Sequence, residues 1–164
     1  MNKAFLISNI LQHLEQELVH CKLAANTAHL AATDDQSVAE TQYDTLAIES
    51  AYLAEGQSRR IIEFESAINH LKQLAAQVKN KDNGANKVIK LGSLVQLYKD
   101  SALDKWFFLA PAAAGYKCTI AANNFTVITP RSPVGYALLN KTIGDQVEVI
   151  IGNNKLVDDI IAVY

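Results

Sequence analysis

Residues 3–32 read KAFLISNILQHLEQELVHCKLAANTAHLAA, a stretch with neither glycine nor proline. Its apolar seam runs Ile7, Leu11, Leu14, Leu18, Cys21, Ala25, Ala28, Ala32. The steps alternate four and three, the rhythm that keeps one helix face against a partner helix. A second seam runs Tyr43, Ala47, Ser50, Ala54, Gln57, Ile61, Phe64, Ile68, Leu71, Ala75, Val78. The first seam goes from bulky to small and the second from small to bulky. Folding the chain back near residue 35 sets bulky against bulky, with Ile7 near Phe64 and Ala28 near Tyr43. The grading therefore predicts an antiparallel coiled-coil hairpin within one chain. Ser37-Val38-Ala39-Glu40 reads as a capping box that starts the second helix. Thr33 to Gln36 form the connecting loop, and the second helix runs to about Lys79. A helix over residues 3–32 would be roughly 45 Å long at its usual rise. Gly56 lies inside the second helix and is read as tolerated, at about 1 kcal/mol against Ala.

The turn-forming residues are unevenly spread. Of 7 Gly and 3 Pro, only Gly56 precedes residue 84. From Lys87 onward short β-rich runs follow one another: VIKLGSLVQLY, KWFFLA, FTVITP, DQVEVII and LVDDIIAVY. Several alternate apolar and polar residues, as half-buried strands do. Asn83-Gly84, Gly115, Asn123-Asn124, Gly144-Asp145 and Gly152-Asn153-Asn154 mark turns. Ser132 can cap a short helix with Pro133 at its first position. The fold class is α+β: a helical hairpin over 1–80 with an acidic tip near 33–40, then a small antiparallel-sheet domain over 84–164 with one short helix.

Composition narrows the function. Apolar residues make up 49% and charged residues 20% of the 164 positions, which excludes a disordered or collagen-like chain. The net charge of −2 gives no overall pull toward nucleic acid or an anionic membrane. Two cysteines, Cys21 and Cys118, are too few for a disulfide framework and suit a reducing compartment. The N-terminus lacks a signal-peptide pattern, and no apolar run approaches the ~18–20 residues of a membrane span. A cytoplasmic monomer without membrane contact is expected.

The average charge conceals a local imbalance. Between Lys22 and Arg59 there is no Lys or Arg, while Asp34, Asp35, Glu40, Asp44, Glu49 and Glu55 all lie there. Helices usually mix the signs, because i,i+4 ion pairs stabilise them by a few tenths of a kcal/mol each. One reading is a tip that delivers carboxylates, with Asp34, Asp35 and Glu40 as ligands for Mg²⁺, a hard cation that takes one or two carboxylates and keeps its waters. The other assigns the same acids to turn formation and to the dipole of the second helix. Elsewhere, His13, Glu17, His20 and Cys21 lie along one side of the first helix, but Cys21 belongs to the seam. Arg59-Arg60 reads as a solvated pair. Cys118 has no evident base partner.

Residues 128–150, ITPRSPVGYALLNKTIGDQVEVI, resemble the C-terminal signature of the bacterial Gre transcript cleavage factors, GreA and GreB. Ser132, Pro133, Leu138, Leu139, Lys141, Gly144, Asp145 and Val147 match that pattern, and the chain closes on Tyr164 as theirs close on a tyrosine. The resemblance implies an N-terminal coiled-coil hairpin followed by an FKBP-like domain. It implies an accessory transcription elongation factor, not an enzyme, whose partner is bacterial RNA polymerase. The globular domain would dock beside the secondary channel through Arg131, Ser132 and Pro133. The hairpin would enter the channel, where tip acids help hold a Mg²⁺ shared with the polymerase, so that backtracked RNA is cut. Contact with nascent RNA and DNA would be indirect. The sequence departs from the family at two places: Ala39 stands where an alignment on Tyr43 expects an acid, and Arg131 stands where a polar or acidic group is common. A Gre-like channel binder that inhibits the polymerase is the alternative. A peptidyl-prolyl isomerase is a reading of a different class and rests on the FKBP-like fold alone. Trp106, in KWFFLA, is read as a strand core residue.

Overall fold

The computed structural model describes residues 2–32, 41–79, 88–102, 104–152 and 154–164. Two long helices, α1 (Lys3–Ala32) and α2 (Thr41–Lys79), come first. They are followed by β1 (Leu94–Leu97), α3 (Tyr98–Ser101), β2 (Lys105–Leu109), β3 (Lys117–Ile120), β4 (Asn123–Ile128), α4 (Pro133–Leu138), β5 (Gln146–Ile151) and β6 (Asn154–Val163). The architecture is a helical hairpin followed by a six-stranded, mainly antiparallel sheet. The expected capping box at Ser37–Glu40 and the loop before it lie outside the described residues.

The chain divides into two compact units. One is Gln12–Ile68; the other joins Met1–Leu11 to Asn69–Tyr164. The β-rich half shares its unit with both helix ends. Gly92 shows one reason. At φ +86° it turns in the left-handed region, and a Cβ there would stand 3.0 Å from Val78 Cγ2 and 3.2 Å from Leu74 Cδ1. The last turns of α2 thus lie directly against the loop that leads into β1.

Within the Gln12–Ile68 unit the seam of α1 is the side that loses solvent. Leu14, Cys21 and Ala28 are buried, and Leu18 and Ala25 between them are half-buried. On α2 the matching positions Ala54, Gln57, Ile61 and Phe64 are half-buried and Ile68 is buried. The register differs from the one that side-chain size suggests. Lys22 Nζ lies 2.9 Å from Glu65 Oε1. The size grading would set Lys22 opposite Glu49. The difference is sixteen positions, about 24 Å along a helix and far beyond the reach of any side chain. Size grading specifies antiparallel pairing without fixing the slide, because small residues tolerate several neighbours. Extended along the hairpin, the observed register brings Ala32 level with Glu55.

In the sheet the strand order is β3-β4-β2-β1-β6-β5. All neighbours are antiparallel except β2 and β4, which run parallel with Lys105 opposite Asn124 and Leu109 opposite Ile128. Strand parity sends alternate residues to opposite faces. One face supplies Val95, Leu97, Phe107, Leu109, Ile128, Val147, Val149 and Ile160, which pack with Ile89 and with Leu138 from α4. The other face holds Leu94, Trp106, Phe108, Phe125 and Val127, all buried as well. A sheet buried on both sides reads as near-continuous apolar runs, which is why KWFFLA shows no alternation. Phe108 is fully buried, and one such side chain contributes about 1.5–3 kcal/mol.

β3 was not among the expected strands. It joins β4 through Ala121 and Ala122, both at positive φ (48° and 67°). This two-residue hairpin turn normally uses Asn-Gly, so alanine leaves no turn signal in the sequence. The asparagines marked as the turn, Asn123 and Asn124, instead open β4.

The register makes a direct prediction. In a Cys21→Ala, Cys118→Ser background, cysteines placed at 22 and 65 should be joined efficiently by a short bis-maleimide. The pair 22 and 49 should not. Non-reducing gel mobility under dilute conditions distinguishes them, and preferential joining of 22 with 49 would restore the size-graded register.

Candidate functional site

The segment that resembles a known signature, residues 128–150, is a turn, a short helix and a second turn between β4 and β5. Thr129 begins it. Its carbonyl oxygen accepts from Ser132 N at 2.9 Å and from Ser132 Oγ at 2.8 Å. Ser132 has extended backbone angles (φ −76°, ψ 149°) and caps α4: its Oγ accepts from Gly135 N at 3.1 Å. Pro133 occupies the first helical turn, where a missing N–H costs nothing. Gly135 is required by space. A Cβ there would stand 2.0 Å from the Thr129 oxygen and 2.8 Å from its carbon. Leu138 then plugs into the sheet core, fully buried.

The exit is equally tied. Leu139 N donates to Gly135 O, and Asn140 takes a left-handed φ of 64° to end the helix. Asn140 N donates to Ile89 O, and Ile89 N donates to Lys141 O at 2.8 Å. Gly144 turns at φ +88° with its N–H on Ile160 O. Asp145 Oδ2 accepts from Thr142 N at 2.7 Å and from Thr142 Oγ1 at 3.2 Å. These bonds, the backbone one first, hold its carboxyl below the usual carboxylate range.

Of the docking residues read from sequence, Arg131 and Pro133 are exposed and Ser132 is partly buried. Ser132 spends its hydroxyl within the turn, donating to Thr129 and accepting from Gly135. It therefore shapes the surface that its neighbours present. Sequence reading passed over Tyr136. It follows Pro133 by three positions, which brings it to the same side of the helix. It is 78% exposed, more than any other large apolar or aromatic residue among those described.

The tip acids Asp34, Asp35 and Glu40 lie outside the described residues. Among the described residues no group of three or more His, Cys, Asp or Glu could hold a metal ion. His20 Nδ1 is 4.0 Å from Glu17 Oε1, while Cys21 is buried in the seam. Trp106 is only 6% exposed, and its ring meets that of Tyr164 edge-on with centroids 5.5 Å apart. It is a core residue of β2. Burial raises the Cys118 thiol above its ordinary pKa, the opposite of what an activated nucleophile needs. None of the described helices is long and apolar enough to cross a membrane.

No protein-family model matches the chain, and no curated protein does. Solved structures do. GreA factor homolog 1 (Gfh1) of Thermus thermophilus is similar at 18% identity over 98% of this chain and 94% of that one, with a TM-score of 0.36. Thermus aquaticus Gfh1 is similar at 16% identity over 100% and 96%, with a TM-score of 0.36. A further structure, of the transcription factor Gfh1, is similar at 17% identity over 98% and 92%, with a TM-score of 0.39.

Two outcomes follow from the geometry of the turn. Gly135→Ala forces a methyl onto a backbone carbonyl and should cost about 3 kcal/mol, the upper end for overpacking. Loss of the cap in Ser132→Ala should cost about 1 kcal/mol. Urea unfolding reads both, and equal small losses would show that the turn can relax. The second outcome concerns pH. Because the folded-state pKa of Asp145 is lowered, its stabilisation is present above the unfolded pKa of about 3.9 and is lost as pH falls through the folded value. Asp145→Asn should therefore show a shallower fall in melting temperature than the parent chain between pH 5 and 3.

Proposed function

We propose that this chain is a Gre-type accessory transcription factor that binds bacterial RNA polymerase at its secondary channel and stimulates cleavage of backtracked RNA. The observation that carries the reading is the 128–150 segment. Five of its matching residues have a physical task in the turn–helix–turn: Ser132 caps, Pro133 starts the helix, Leu138 plugs the core, Gly144 turns and Asp145 closes. The helical hairpin at the other end of the chain supports it independently.

In this reading the polymerase is the enzyme. Mg²⁺ at its active centre supplies Lewis-acid stabilisation of the attacking and leaving oxygens. The chain contributes hard carboxylate oxygens, which suit that ion, carried on a stiff pair of helices. Asp34, Asp35 and Glu40 are the proposed ligands. We add Asp44 to these candidates. With Ala32 level with Glu55, the first part of α2, from Thr41 to about Ala54, runs roughly 20 Å past the end of α1. Asp44 sits on the first turn of that overhang.

The test is Mg²⁺-dependent shortening of RNA in a stalled, backtracked complex made with bacterial core polymerase. The parent chain should co-elute with the polymerase and accelerate cleavage. Asp34→Ala with Asp35→Ala should lower the rate at least tenfold while binding is retained, and Asp44→Ala measured beside it shows which acids lead. Absence of co-elution would sink the proposal. Tight binding without cleavage would favour the inhibitor reading.

A further inference from the structure

We infer that the open edge of β5 pairs with β5 of a second copy of this chain, joining two sheets across a twofold axis. The inference is independent of the polymerase reading, and it departs from the monomer expected from the sequence. Three observations carry it.

First, β5 is an end of the sheet and an open template. The strand order runs from β3 at one end to β5 at the other. β5 pairs with β6 along its whole length, from Gln146 opposite Asp159 to Ile151 opposite Asn154, without a bulge. Ile160 N donates to Asp145 O, which makes Asp145 part of a hydrogen-bonded pair of that ladder. Alternation then turns the N–H and C=O groups of Val147, Val149 and Ile151 toward β6, and those of Gln146, Glu148 and Ile150 outward. Among the described residues no backbone hydrogen bond from outside the ladder reaches these last three.

Second, the edge lacks the devices that keep strands apart. Native edges are blunted by shortness, lysine, proline or bulges. β3, the other end of the sheet, is 4 residues long and opens on exposed Lys117. β5 has 6 residues, Gln-Val-Glu-Val-Ile-Ile, with neither lysine nor proline. Its one charge, Glu148, is held by Lys155 Nζ at 2.8 Å. Ile150, on the same face by strand parity, is 64% exposed.

Third, the strand fits itself. Two antiparallel copies match outward groups with outward groups only when a residue, and not a peptide bond, lies on the twofold axis. The longest overlaps put Glu148 or Val149 there. With Glu148 on the axis two carboxylates stand directly opposite, which is unfavourable. With Val149 on the axis, Glu148 of each copy stands opposite Ile150 of the other. These are the residues whose backbone groups point outward, so both N–H···O exchanges are made and no charge meets its like. The joined sheet then ends on blunted β3 at both sides, and association stops at two. An unrelated extended peptide is the weaker match, because this register answers the charge pattern of β5 itself. The contact is small beside a standard interface of ~1,200–2,000 Å², so a dimer of micromolar affinity is expected.

Sedimentation equilibrium of the full-length chain across the micromolar range tests the inference. The parent should pass from monomer to dimer as concentration rises. Ile150→Pro removes an outward N–H and none that β6 uses, and should weaken association about tenfold or more. Ile150→Glu sets carboxylates opposite each other at both ends of the pair and should weaken it on the same scale. Adding Glu148→Lys to Ile150→Glu should restore the dimer, which a misfolded chain would not do. A parent that stays monomeric, or a dimer unchanged in both Ile150 variants, overturns the inference and leaves the proposed function standing. A monomeric parent that co-elutes with core polymerase, with co-elution lost in Ile150→Pro, would assign the edge to that partner instead.

Discussion

The carbonyl oxygen of Thr129 is the point on which the β-domain's second half turns. It receives two hydrogen bonds from Ser132 and stands where the side chain of any residue but glycine at 135 would sit. That contact fixes the angle at which α4 leaves β4. The angle decides whether Leu138 reaches the space between Ile89, Leu109 and Val147. If it does not, the core face of the sheet loses its plug, and the backbone bonds between Ile89 and the exit of α4 lose their register. A backbone oxygen needs its partners, and here the oxygen also dictates the residue six positions along.

The same economy explains why the signature says more about shape than about binding. A Ser-Pro followed by glycine and leucine specifies a tight capped turn in any protein that needs one. The charge distribution is one-signed in two stretches: Lys and Arg are absent over residues 23–58, and Asp and Glu over residues 105–144. Neither region improves its own stability by that choice, since mixed signs give a few tenths of a kcal/mol per pair.

Much of the fold was legible in the sequence because helix pairing leaves a strong mark. The heptad seam Leu14, Leu18, Cys21, Ala25, Ala28 is the half of α1 that becomes buried or half-buried. The slide between the helices was not legible. A gradient of side-chain sizes has no sharp minimum, and the Lys22–Glu65 ion pair marks where the helices come to rest. β3 escaped notice because its turn uses two alanines in a conformation that sequence associates with glycine and asparagine. Ser132 and Pro133 could be read at once as cap and first turn. Tyr136 could not, since a tyrosine amid Val134, Ala137 and Leu138 is as easily a core residue as a surface one, and only the direction of the helix tells them apart.

The two cysteines have a use that their chemistry alone does not suggest. Cys21 is sealed in the seam of the Gln12–Ile68 unit, and Cys118 lies half-covered on the edge strand β3 of the other. Each compact unit thus carries one thiol of its own. A reagent that attacks only exposed thiols would be admitted to Cys21 when the helices part, and to Cys118 when the sheet edge frays. Each labelling rate reports the local opening free energy of its own unit. The parent chain thus has a built-in gauge of whether a partner stiffens the helices, the sheet edge or both.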